Sequence, residues 1–192
     1  MPRLGLLALL LTVVGCAATS PCGQPIGPTS PLAEALAGDR AAPALEARFG
    51  GIVRDADAEQ RMERIVRRLL GPDHPVACAP LCRLLSASRP NAVSLPTARI
   101  YVTRGLYTLL DCDDRLAAVL AHELAHLDTK DHFLPAGPEP RAALLREQAA
   151  DRRGRHYLEA AGYRPGAMAE VVALVADHQP AGWADARVAA LA

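Results

Sequence analysis

Apolar residues recur at helical spacing between Asp55 and Leu70, where Ala58, Met62, Ile65, Val66, Leu69 and Leu70 share a face and Arg and Glu fill the remainder. The pattern predicts an amphipathic helix packed on a core, capped near Asp55 or Asp57 and stopped at Gly71-Pro72. Periodicity then changes. Leu81 to Ser88 reads as a strand, Arg89-Pro90 as a turn, and Arg99 to Thr103, through Ile100, Tyr101 and Val102, as a second strand rich in β-branched and aromatic residues. A short helix follows Gly105, over Leu106 to Leu110. Asp111 to Asp114 supply caps and early acidic residues for a helix from about Asp113 to Leu127. This helix is apolar nearly all round and is therefore expected to be buried.

Pro135, Gly137, Pro138 and Pro140 mark a loop. Further helices are expected from Arg141 to Ala161, from Pro165 through Ala176, and from Trp183 to Leu191. A helix, a small antiparallel sheet and then more helices give an α+β, mostly helical fold.

The first residues break this scheme. Met1-Pro2-Arg3 is a short basic start, and Leu4 to Val14 is an apolar run too short for the roughly 20 residues of a spanning helix. It reads as a signal h-region. It ends in Val13-Val14-Gly15-Cys16, the way a bacterial lipoprotein signal ends, which implies cleavage before Cys16 and lipidation of its thiol. The expected organisation is a signal over residues 1–15, a flexible tether over 16–44 rich in Pro, Gly, Ser and Thr, and one domain over 45–192. A short helix around Leu32 to Leu36 fits within the tether. Such a chain would be lipid-anchored in the cell envelope, and Ala17 after the lipidated cysteine favours the outer membrane of a Gram-negative host.

Composition narrows the function. Lys plus Arg and Asp plus Glu both number 21, so the net charge is zero and the sequence carries no electrostatic footprint for nucleic acid. Without Cys16, four cysteines remain: Cys22, Cys78, Cys82 and Cys112. Export permits disulfides. Cys78 and Cys82 could bridge a turn containing Pro80, and Cys22 or Cys112 could take part in other pairings.

The chemistry concentrates in the buried helix, at His122-Glu123-Leu124-Ala125-His126. Histidines four apart lie one above the other on a helix face and can fill two corners of a tetrahedral zinc site. Glu123 beside them suits a general base toward a water at the metal. A third protein ligand is needed, and Glu147 is the candidate. Asp151, one turn further on, is placed to accept the other N–H of a ligating histidine. Histidines and a glutamate in such a helix are costly to bury unless they have partners. His74, His132 and His156 read as ordinary polar residues.

The motif together with Glu147-Gln148-Ala149-Ala150-Asp151-Arg152 resembles the gluzincin metallopeptidases, most of all the HtpX-like and CAAX-prenyl-protease-type family with its bacterial lipoprotein and periplasmic members. Asn91-Ala92 with Pro96, the run from Ile100 to Leu106, Leu116 to Ala121, Tyr157-Leu158 and Ala161-Gly162-Tyr163 extend the resemblance over residues 60–192. It implies a zincin-like domain and one zinc ion held by His122, His126 and Glu147. It also implies catalysis by Glu123, with Asp151 in support. The strand Arg99, Ile100, Tyr101, Val102, Thr103 is similar to the family's edge strand, which holds an extended polypeptide substrate. The family's late His-Pro stretch followed by an arginine is matched at altered spacing by His178-Gln179-Pro180 and Arg187, which makes Arg187 a candidate transition-state stabiliser. Pro96-Thr97-Ala98 departs from the glycines that usually follow that proline. The expected activity is endopeptidase cleavage of unfolded or damaged proteins. A chaperone-like binding lipoprotein and a hydrolase of peptidoglycan crosslinks are the competing functions.

Overall fold

The computed structural model of the protein describes residues 31–71, 81–96, 99–129 and 140–192. Helix α2, Ala56–Leu70, is the amphipathic helix expected, and it buries Ala58, Met62, Ile65, Val66 and Leu69. Its cap is Asp55, whose carboxylate accepts the amide of Ala58 at 3.0 Å. The chain ends it at Gly71, φ +63°, a left-handed position that glycine adopts without strain.

The sheet is mixed, not antiparallel as expected. Its strands are β1 (Ile52–Val53), β2 (Leu81–Leu85), β3 (Ala92–Leu95) and β4 (Arg99–Thr103), in the order β1-β2-β4-β3. β2 and β4 run parallel, and the other pairs are antiparallel. The reason lies in β4. Its residues Ile100 to Thr103 are all buried, a continuous run that a central, two-faced strand requires. The connection from β2 therefore passes β4 to build β3 at the far side before the chain turns back. Thr103 holds that crossing. Its hydroxyl donates to the carbonyl of Arg89 at 2.9 Å and accepts the amide of Asn91 at 2.9 Å. At Gly105 any Cβ would drive into the carbonyl of Ser88.

This order also corrects the substrate strand. Arg99, Ile100, Tyr101 and Val102 are paired on both sides, with β2 and with β3, and Thr103 with β2, so the strand forms no edge. The edge strand next to β4 is β3.

A helix, α1, Pro31–Arg48, occupies residues assigned to the tether through 44. Ala41, Ala42 and Leu45 pack on Leu85, Leu95 and Tyr101, and Tyr101 donates to Glu46 at 2.8 Å. The sheet thus separates two cores. Its other face, through Cys82, Ile100 and Val102, meets α2 and α4, Asp113–Thr129. Helix α3, Arg104–Tyr107, joins β4 to that layer. Around α4 are α5, Pro140–Ala160, α6, Ala167–Leu174, and α7, Trp183–Ala189. Among the described residues no helix is long and apolar enough to cross a membrane.

Cys82 is buried on β2, and burial pushes its thiol up to about 12. Cys78, its expected disulfide partner, lies outside the described residues, as do Cys16 and Cys22.

An exposed ion network ties the start of α4 to α6. Glu170 accepts from Arg164 at 2.7 Å and from Arg115 at 3.0 Å, and Arg164 also reaches Asp114 at 3.0 Å. Arg164 and then Arg115 hold the Glu170 carboxyl down at about 2. A depressed carboxyl contributes stability above its unfolded value, and that contribution disappears as pH falls. Melting temperature should therefore drop between about pH 4.5 and pH 2 more steeply in the native chain than in Glu170→Gln. Thermal melts of the two proteins across that range measure the difference.

Candidate metal centre

α4 is buried because its neighbours surround it: Leu116, Ala117, Ala118, Leu120, Ala121 and Ala125 are fully enclosed. One strip of it faces α5. There His122 and His126, one helical turn apart, bring their rings to 4.6 Å between centroids at 85°. From α5, Glu147 meets both. The three side chains close a triangle: His122 Nε2 to His126 Nε2 3.1 Å, His122 Nε2 to Glu147 Oε2 3.4 Å, and His126 Nε2 to Glu147 Oε1 3.6 Å. Ligands about 2.0–2.1 Å from a tetrahedral zinc ion stand roughly 3.4 Å apart, so two imidazoles and a carboxylate at this spacing fit zinc in size and in donor type. Among the described residues this is the group of histidine and carboxylate side chains able to hold a metal ion.

The support around the triangle is buried more deeply than the triangle itself. Asp151 has no exposed surface. Its Oδ1 takes His122 Nδ1 at 2.9 Å, which turns Nε2 toward His126 and Glu147. From α7, Arg187 grips the same carboxylate twice, Nε to Oδ2 and Nη2 to Oδ1, both at 2.7 Å. Its Nη1 donates to Gln179 Oε1 at 3.0 Å and stands 3.3 Å from Glu147 Oε2. Burial works against every charge here, and the partners outweigh it. His122 is raised to about 10 by Asp151 and Glu147. Glu147 is held well below the usual carboxylate range by His122, and Asp151 is lowered by Arg187 and His122. A cation entering the triangle competes with a proton for the same imidazole, so binding releases protons.

Glu123 is 7% exposed and lies on α4 between the two histidines. The structure thus brings together His122, Glu123, His126, Glu147, Asp151 and Arg187. Arg187, expected as a transition-state stabiliser, has two of its donor groups committed to Asp151. It acts through that carboxylate as a clamp. His156 is exposed beside Glu159. His74 and His132 lie outside the described residues.

Sequence reading passed over two contributors. Gln179 receives Arg187, and Gln148 donates to the Ala186 carbonyl at 2.9 Å, fastening α7 to α5 beside Arg187. Gln148 lies between Glu147 and Asp151, and a polar residue there is the one hint the sequence holds.

Residues 53–136 match the model of peptidase family M48. That stretch is similar to the M48 peptidases. The family is the zinc metallopeptidase family with HtpX-like and CAAX-protease-type members, the one the motifs resemble. The match takes in both histidines and Glu123 and stops short of Glu147, whose placement comes from the geometry above. No curated protein matches the chain. The match supports a metallopeptidase of the hydrolase class, and the M48 enzymes bind zinc.

Replacing Asp151 by Ala should weaken zinc binding by about 10- to 100-fold, because His122 loses the acceptor that orients it. Competition with a chromogenic chelator reads this directly, and an unchanged affinity would remove Asp151 from the site.

Proposed function

We propose that the protein is a zinc-dependent endopeptidase of the cell envelope that cleaves unfolded or damaged polypeptides. The observation that carries this reading is the triangle of His122, His126 and Glu147 with Glu123 on the same helix. Zinc, when bound there, supplies a Lewis acid that polarises the scissile carbonyl and acidifies water. Glu123 accepts the proton of the attacking water as its oxygen adds to the carbonyl carbon, and returns it to the amide nitrogen as the C–N bond breaks. Asp151 and Arg187 keep the His122 ring in place through both steps, so they act on orientation and not on the substrate.

The strand of the sheet suited to an extended substrate is β3, the edge strand beside β4, which packs on α4 and replaces the β4 assignment. Recognition of main chain along an edge selects extended conformation over side-chain identity, which suits proteins that have lost their fold. Location rests on residues 1–16: the basic start, the apolar run and Gly15-Cys16 support lipid anchoring at Cys16.

Glu123→Gln should retain one zinc per chain and lose casein cleavage by at least about 100-fold, the scale of a general base. Metal analysis beside a chelator-reversible protease assay tests it, and a fully active variant would overturn the mechanism. Cys16→Ala should move the protein out of the membrane fraction and stop labelling by radioactive palmitate. A variant that is still labelled would refute lipidation at this position.

A further inference from the structure

Gly154 sits in the interior of α5, where a glycine lowers helix propensity relative to alanine. Its backbone is not in the left-handed region, so conformation does not require it. Contact does. Glu147, Ala150, Asp151, Gly154 and Leu158 follow one another at helical spacing, and the last four are buried. This strip packs on α4, and Gly154 meets that helix at Ala121 and His122. A Cβ built on Gly154 would stand 3.1 Å from the amide nitrogen of His122, 3.2 Å from the carbonyl carbon of Ala121 and 2.5 Å from Met168 Cε. The first two are backbone atoms of the very turn that carries the metal-facing histidine. They belong to a helix enclosed on all sides and cannot swing away.

We propose that Gly154 sets the α4–α5 spacing that lets Asp151 and Glu147 meet His122, and so is a positioning residue for the metal centre. The inference rests on the zinc reading above. Its physical root is the length of the aspartate side chain. Asp151 has a single methylene, is held from behind by Arg187, and meets His122 Nδ1 at 2.9 Å. A methyl group at 154 moves α5 outward by a few tenths of an ångström, and Asp151 has no spare length with which to follow. Glu147, one methylene longer, adjusts more easily. The loss should therefore show in the orientation of His122 before it shows in the fold.

The test is zinc affinity of the full chain, by competition with a chromogenic chelator, set against the melting temperature of the same protein with zinc removed. Gly154→Ala should bind zinc about tenfold more weakly, the low end of the cost of losing an orienting carboxylate. The zinc-free melt should be little changed, since alanine is the better helix former. Gly154→Ala combined with Met168→Leu removes the Cε obstruction and leaves the backbone one, and it should show the same loss. Wild-type affinity in a folded Gly154→Ala chain overturns the proposal, as does recovery of affinity in the double variant, which would assign the effect to Met168. If neither variant folds, the glycine serves the core and the proposal also falls. A native chain that takes up no zinc overturns the functional reading itself, an outcome separate from any difference between variants.

Discussion

A carboxylate with no exposed surface, Asp151, sits where three helices meet. It receives two donors from Arg187 on α7 and one ring nitrogen from His122 on α4, while itself belonging to α5. Burying one charge costs several kcal/mol, and the cost is offset only when pairing geometry is good and the remaining lone pairs are used. All of those conditions hold here together. Removing any one helix from its place would leave a buried charge without its partner, so the helices are committed to one arrangement. The ligand triangle inherits its dimensions from that commitment.

Around this knot the rest of the fold is support. α4 can carry two histidines because its alanines let the neighbouring helices close and because both imidazoles face carboxylates on α5. The sheet packs on α4 through Ile100, Val102 and Cys82, and α1 seals the sheet's other face with Ala41, Ala42 and Leu45. Gln148 and Gln179 extend the same logic outward. Neither touches the triangle, yet both fix where Arg187 arrives.

The helices that bear the chemistry were legible because their signals are local. Asp55 caps α2 as its position suggested, and Ala58 to Leu69 bury the expected face. His122 and His126 needed only a helical period to fall on one side. Glu147 and Asp151 needed the same period on a second helix. The sheet was less legible. Two residues, Ile52 and Val53, are too few to show periodicity, and Ala92 to Leu95 mix buried and half-buried positions. α1 was hidden by composition: Pro31, Pro43 and Gly38 suggest a tether, and its helix is held by the tertiary contacts of Ala41, Ala42 and Leu45.

By itself the amino-acid sequence determined the ligand types, their spacing along α4 and α5, and the amphipathic faces that had to be buried, since each depends on residues within one or two helical turns. Tertiary structure alone decided that β4 lies inside the sheet and β3 at its edge, because strand order depends on which strand can be covered on both faces. It also decided that Arg187, 36 residues beyond Asp151, serves as that carboxylate's clamp. No local period links those two positions, and only the packing of α7 against α5 brings them within a hydrogen bond. The pair of histidines on α4 is thus a property of the chain, while the site they belong to is a property of the fold.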